Sequence, residues 1–348
     1  MSNKYIQGLT LCGVLLAATV FAGNPDRQGE AGANQLLINP WARSAGLHST
    51  NTSNVTGIDA LFMNVAGMSR INKMQLSLTQ TRYLEGVDMN INALGFAQKV
   101  GKSGAFGISL VAFDLGDFDL TTADLPEGSG ATFSPSFLNI GLSYSHTFSN
   151  KVSVGVTAKA VNESLANASA RAVALDAGVQ YVTGAKDNFK FGISLRNVGN
   201  KMRYGGEGLA KSRPSGNATF SYPITYYERS APYELPSQLN IGASYDFLFG
   251  KTAKLTVLGN FTSNSFSRDQ VGGGAEFGLG QNFVLRVGYK AELDPNKTQA
   301  TLDNGVSGGL SVTLPLKKGS DSKLSLDYGY RNTKIFKGIH NIGIRLDL

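Results

Sequence analysis

The chain has 348 residues, with 32 Lys and Arg against 25 Asp and Glu, a formal net charge of +7, and a single cysteine. Its basic residues are scattered singly, so nucleic-acid binding is not expected, and one cysteine cannot build a disulfide framework or a thiolate metal site. Only 16% of residues are charged, 42 are glycine, and period-two alternation recurs nearly to the last residue, which points to an all-β protein.

Residues 1–22 carry one charge, Lys4, and an apolar run from Leu9 to Phe21 that ends in Val20-Phe21-Ala22, the small-residue pattern of a signal-peptidase site. A membrane anchor needs roughly 20 apolar residues, and this run is shorter. A cleaved signal peptide over 1–22 is therefore predicted, and Cys12 leaves with it. Residues 23–73 are rich in small and apolar residues yet follow neither the helical nor the strand period, so they are predicted to form a plug or hatch.

From residue 74 onward, alternation predicts strands near 74–83, 89–99, 104–115, 136–147, 152–162, 171–183, 189–197, 237–248, 253–262, 269–278, 283–293, 305–314, 323–332 and 338–348. Phe189, Phe191, Ile193 and Leu195 interleaved with Lys190, Gly192, Ser194 and Arg196 show the pattern: one face apolar, the other polar or glycine. A soluble sandwich also alternates. Three features favour a membrane: strands of about ten residues, the length a tilted strand needs to cross hydrocarbon, an even strand number, and connections that alternate short and long. The prediction is a transmembrane β-barrel of about 14 antiparallel strands over 74–348, because strands in lipid satisfy their backbone groups only by closing into a ring. Tyr83, Tyr144, Tyr181, Tyr245, Tyr289, Tyr328 and Tyr330, near strand ends, are candidates for interfacial girdles.

The connection from Val198 to Pro236 is the longest, and it carries Tyr204, Phe220, Tyr222, Tyr226, Tyr227 and Tyr233. Long irregular loops are usually functional or disordered and aromatic residues are enriched in protein interfaces, so these six are read as a partner-binding loop; a lid over the barrel mouth is the alternative. Loop 116–135 is acidic through Asp117, Asp119, Asp124 and Glu127, but Phe118 and Leu120 interrupt the acids, and a solvated loop is the simpler reading than a calcium site. Arg196, Arg286, Lys290, Arg331 and Arg345, with Lys159, Asp246, Asp327 and Asp347, are assigned to the lumen, where they either anchor the plug by ion pairs or line a solute path. His48, His146 and His340 form no metal motif, and no nucleophile elbow or P-loop is present. No enzyme and no cofactor are expected. Gly272-Gly273-Gly274 lie in a predicted strand, where glycine lets the plug approach the wall.

Three segments carry a family resemblance: Leu37-Ile38-Asn39-Pro40-Trp41-Ala42-Arg43-Ser44-Ala45-Gly46, Gly57-Ile58-Asp59-Ala60-Leu61-Phe62-Met63-Asn64-Val65-Ala66-Gly67-Met68, and Leu235-Pro236-Ser237-Gln238-Leu239-Asn240-Ile241-Gly242-Ala243-Ser244-Tyr245. With fourteen strands behind a plug, the chain resembles the FadL-type outer-membrane barrels, and these segments are similar to the PorV/PorQ branch in Bacteroidetes. The family motif has proline where this chain has Val65; proline fixes φ and removes an N–H donor. The resemblance implies plug positions at Asn39, Pro40, Arg43, Gly46, Asn64 and Gly67. It also implies residence in the outer membrane of a Gram-negative cell, and a role in the type IX secretion system. Its implied partners are outer-membrane lipid, the large translocon barrel, and secreted cargo with C-terminal signal domains. FadL-type barrels also include passive carriers of hydrophobic small molecules, which is the alternative function.

Overall fold

The computed structural model describes residues 24–86, 88–122, 124–216, 222–250, 252–280, 282–293, 304–316, 322–333 and 336–348. The expected signal peptide, Cys12 and Phe220 lie outside the described residues.

In chain order the strands are β1 (Met74–Tyr83), β2 (Met89–Val100), β3 (Gly104–Asp114), β4 (Phe118–Asp119), β5 (Thr132–Phe133), β6 (Ser136–Phe148), β7 (Val152–Leu165), β8 (Ala168–Thr183) and β9 (Phe189–Gly199). They continue with β10 (Ala210–Pro214), β11 (Pro223–Tyr227), β12 (Gln238–Phe249), β13 (Ala253–Asn264), β14 (Gln270–Leu279), β15 (Phe283–Glu292), β16 (Gly305–Pro315), β17 (Lys323–Arg331) and β18 (Ile339–Asp347). Fourteen of them close into one antiparallel barrel in sequence order, while β4–β5 and β10–β11 are separate hairpins in the two longest loops. The seam joins β1 to β18 from Gln75↔Asp347 to Arg82↔His340.

The alternation has the expected physical cause. On β1, Gln75, Ser77, Thr79 and Thr81 are buried inside, while Leu78 faces outward and is 53% exposed. Hydrocarbon outside and small polar residues inside leave the ladder as the only partner for the backbone. The largest departures from the predicted strands are in β7 and β8, which extend to Leu165 and back to Ala168 around a two-residue turn. Among the described pairs one irregularity interrupts the wall, where the β8–β9 register shifts between Leu175 and Ala177. There the Asp176 carboxylate accepts the Asn197 N–H at 2.8 Å, and Asn197 adopts a φ of 60°, a conformation asparagine tolerates.

Strand polarity sorts the connections into a short-turn end, which holds the start of β1, and a long-loop end. The N-terminal segment lies in the lumen. A Cβ placed on inward glycines would meet Leu47 at 2.6 Å from Gly288 of β15, Thr52 at 2.5 Å from Gly192 of β9, and Val65 at 2.8 Å from Gly155 of β7. Thr50 meets Gly272 in the same way, so that glycine does lie where the segment nears the wall. Strands all round the barrel are reachable only from within. The segment folds as short helical turns, chiefly Ala42–Gly46, Ala60–Met63 and Val65–Arg70.

Candidate functional site at the long-loop mouth

The lumen segment is held mainly through its backbone. Gln180 donates to the Thr52 and Val55 carbonyls at 3.2 and 2.9 Å, Ser194 to Met63 at 2.8 Å, and Asn341 to Pro40 at 3.0 Å. Gln75 accepts the Ile58 N–H at 2.6 Å. Neutral side chains thus make most of the anchors, which spares the desolvation that buried ion pairs require.

The motif positions meet these anchors. Asn39 bonds Ser49 at 2.9 Å and accepts the Trp41 N–H at 3.0 Å. Pro40 presents its carbonyl to Asn341. Arg43 pairs with Asp59 at 2.6 Å, within the segment itself; the local carboxylate holds the guanidinium pKa above its ordinary value despite burial. Gly46 packs on Gly309, and Gly67 on the Val55 carbonyl so closely that a Cβ would collide. Asn64 donates to Val179 at 3.0 Å and accepts the Ala66 N–H at 3.2 Å, capping the turn that begins at Val65. That first position is where proline is favoured.

The predicted lumen charges face inward, and most of their ion pairs run from wall to wall. Lys159 meets Asp176 at 2.5 Å, Lys190 meets Asp246 at 2.6 Å, Arg286 meets Glu276 at 2.7 Å, and Arg345 bridges Asp327 and Asp347. Lys290 is buried in β15 opposite Gly272. Two arginines reach the segment, by hydrogen bonds to carbonyls: Arg331 to Asn39 at 3.4 Å and Arg196 to Leu36 at 3.1 Å. Arg196 also stacks on the Phe62 ring at 3.8 Å, a cation–π contact.

At the long-loop end the chain before Asn39 forms a strap. Gly32 N–H bonds the Glu234 carbonyl at 3.0 Å, and Ala33 and Leu36 share an apolar cluster with Val161, Ala172, Met202 and Leu235. At its centre the buried carboxylate of Glu163 accepts hydrogen bonds from Gln35 (2.8 Å), Tyr204 (2.6 Å) and Tyr233 (2.8 Å). One side chain on β7 therefore ties the strap to both feet of the long loop. Burial and the Glu163 hydrogen bond push the Tyr204 phenol up to about 12 and raise that of Tyr233 further.

This divides the predicted partner-binding residues. Tyr204 and Tyr233 are feet, held down on the barrel, whereas Tyr222, Tyr226 and Tyr227 stand exposed on the β10–β11 hairpin. The hub and several wall partners were not predicted. Glu163 lies one residue past the predicted strand end, and the sequence assigned Asp176 and Glu276 no role. Glu163 carried one signal, its place in the inward parity of Val161.

Beneath the strap lies a cavity of about 320 Å³ whose apolar lining includes Ile38, Met89, Ile91, Phe113 and Phe137, with Gln35 and Glu163 at its polar edge. A second, of about 380 Å³, shares Asn34, Ile38 and Tyr83 with it and extends beneath Phe266. Deeper in, between Trp41, Phe62 and Val111, only about 30 Å³ remains. A third space at the same end, about 450 Å³ and lined by Arg82, Glu85, Asp88 and Asn90, is polar.

No family model and no curated protein matches the sequence. Solved structures do resemble the fold. The CymD monoaromatic hydrocarbon channel aligns over 89% of this chain and 97% of its own, with a TM-score of 0.54 and 15% identity. The toluene transporter TodX of Pseudomonas putida aligns over 89% and 97%, with a TM-score of 0.51 and 14% identity. The fold is that of the FadL-type outer-membrane barrels. A FadL homologue of Pseudomonas aeruginosa is similar as well, over 88% of this chain and 98% of that one, at a TM-score of 0.52 and 13% identity. At such identities the FadL-type likeness is one of architecture, and the PorV/PorQ resemblance rests on the sequence motifs.

Proposed function

We propose that this protein is a passive outer-membrane conduit for small hydrophobic molecules, with the long loops outside the cell and the apolar mouth cavity as the entry site. The observation that carries the reading is that cavity, whose mainly apolar lining is edged by Asn34, Gln35, Asn90, Asp114 and Glu163, the usual composition of a small-molecule site. The similar structures, a monoaromatic hydrocarbon channel and a toluene transporter, favour the same solute class. Because the space narrows to about 30 Å³ at Trp41 and Phe62, passage requires the Asn39–Gly46 stretch to move.

A staple tests this. The Cβ of Ala42 lies 3.6 Å from an ideal Cβ on Gly343, within disulfide range. An Ala42→Cys, Gly343→Cys variant in proteoliposomes should take up toluene when reduced and lose uptake when oxidised. Equal uptake in both states, or none above empty liposomes for the unaltered protein, overturns the conduit.

A second reading, a type IX secretion component, is favoured by the β10–β11 hairpin, whose Tyr222, Tyr226 and Tyr227 are 58%, 47% and 67% exposed. Deleting 205–230 from an assembled barrel should then abolish capture of the translocon barrel or of cargo bearing C-terminal signal domains. Unchanged capture removes the hairpin from that role.

A further inference from the structure

The two ends of the barrel differ in charge. At the long-loop end the acids of loop 116–135 are exposed. At the short-turn end, on the side from β1 to β9, the exposed charges are cationic: Lys73 ahead of β1, Lys102 in the β2–β3 turn, Lys151 in the β6–β7 turn and Lys186 in the β8–β9 turn. Asp187 is the one acid among the described residues of these turns, and it is engaged by Lys151 at 2.7 Å. Lys73, Lys102 and Lys186 have no ion-pair partner among the described residues.

These cations form one surface. Lys99 N–H bonds the Lys73 carbonyl at 2.7 Å, Thr147 bonds Ser103 at 2.9 Å and Val182 bonds Lys151 at 2.8 Å, stitching successive turns into an arc. The lumen segment leaves the barrel at this arc, where Ser69 contacts Thr147 at 2.7 Å. Arg70 follows, and its Nε and Nη2 are buried without a hydrogen-bond acceptor among the described residues. Charge gathered at one side of an opening raises the local concentration of the opposite sign.

The outward face near these turns is Val100, Phe106, Phe148, Tyr181 and Phe189, all exposed and apolar or aromatic. The cations sit instead on turn tips and on the lumen side, as with Lys99, whose ammonium bonds the Ser69 and Ile71 carbonyls at 3.2 Å. Lys73, Lys102, Lys151 and Lys186 are all exposed. We propose that this arc is a docking surface for an acidic segment of a periplasmic protein, which brings that partner to the exit of the lumen segment. The proposal rests on the periplasmic assignment of the short-turn end and not on the solute class.

The test is fluorescence anisotropy of a labelled Glu-rich peptide with the full barrel in neutral detergent. Binding should weaken steeply as salt rises above 0.15 M, where the screening length is about 8 Å. The Lys73→Glu, Lys102→Glu, Lys186→Glu variant should lose affinity on the order of tenfold, as three exposed pairs would give. An Asp117→Lys, Asp119→Lys variant at the opposite end should keep it. Heat-shifted mobility on gels verifies that both variants remain assembled barrels. Absence of peptide binding, equal affinity in the triple variant, or charge-dependent binding only to phosphatidylglycerol vesicles would each overturn the proposal.

Discussion

The N-terminal segment is held in two different ways along its length. Below Asn39 it lies backbone against wall, with glycines such as Gly192 and Gly288 admitting it to contact distance; above Asn39 the strap meets the long loop around one carboxylate, Glu163. The first attachment is spread over many strands. The second gathers its side-chain hydrogen bonds on one carboxylate, beside the Gly32–Glu234 backbone bond and the apolar packing of Ala33 and Leu36.

Overpacking the lumen should have the largest effect. Gly192→Val would drive a side chain into Thr52 and Ser53 and cost about 3 kcal/mol, read as a lower thermal midpoint in detergent. A smaller, local effect is expected at the mouth. Glu163→Ala leaves two phenols and an amide without their acceptor, which makes opening of the loop feet easier by about 2 kcal/mol; faster hydrogen exchange over 200–206 and 230–236 with an unchanged midpoint checks this. Glu163→Gln keeps one carbonyl acceptor and should fall between. If both glutamate variants lower the global midpoint as Gly192→Val does, the contrast between the two attachments fails.

How far the sequence revealed these regions follows from the range of the contacts. Wall strands were legible because inside and outside alternate residue by residue, as on β1 and β9. The strap was not, because its partners Glu163 and Met202 are far away in sequence and leave no periodic trace. Tyr204 and Tyr233 looked like their neighbours Tyr226 and Tyr227, since an aromatic residue in a loop reads the same whether its hydroxyl meets water or a buried carboxylate. Arg43 stood out within a motif, but its partner Asp59 was identified only by the fold.

The phenols add a pH signature. The folded Tyr204 pKa is raised to about 12 from an ordinary 10, so its contribution is complete below pH 10 and falls away between 10 and 12. Attachment of the loop feet should be flat through neutral pH and lost in that alkaline window, and Tyr204→Phe should reduce the slope seen by exchange. The smallest effect is expected on the hairpin: Tyr226→Ser, at an exposed position paired with Lys211 near the hairpin base, should change stability by less than about 0.5 kcal/mol.

The seam between β1 and β18 has a consequence for biogenesis. The strand that closes the cylinder is the one to which the interior segment is joined, and Asn341 of β18 grips that segment at Pro40, 301 residues earlier. A cylinder sealed first would have to admit that segment afterwards, past glycine contacts with no slack. Seating and sealing are therefore coupled: the last strand closes on β1 with the described segment 24–73 already in place inside.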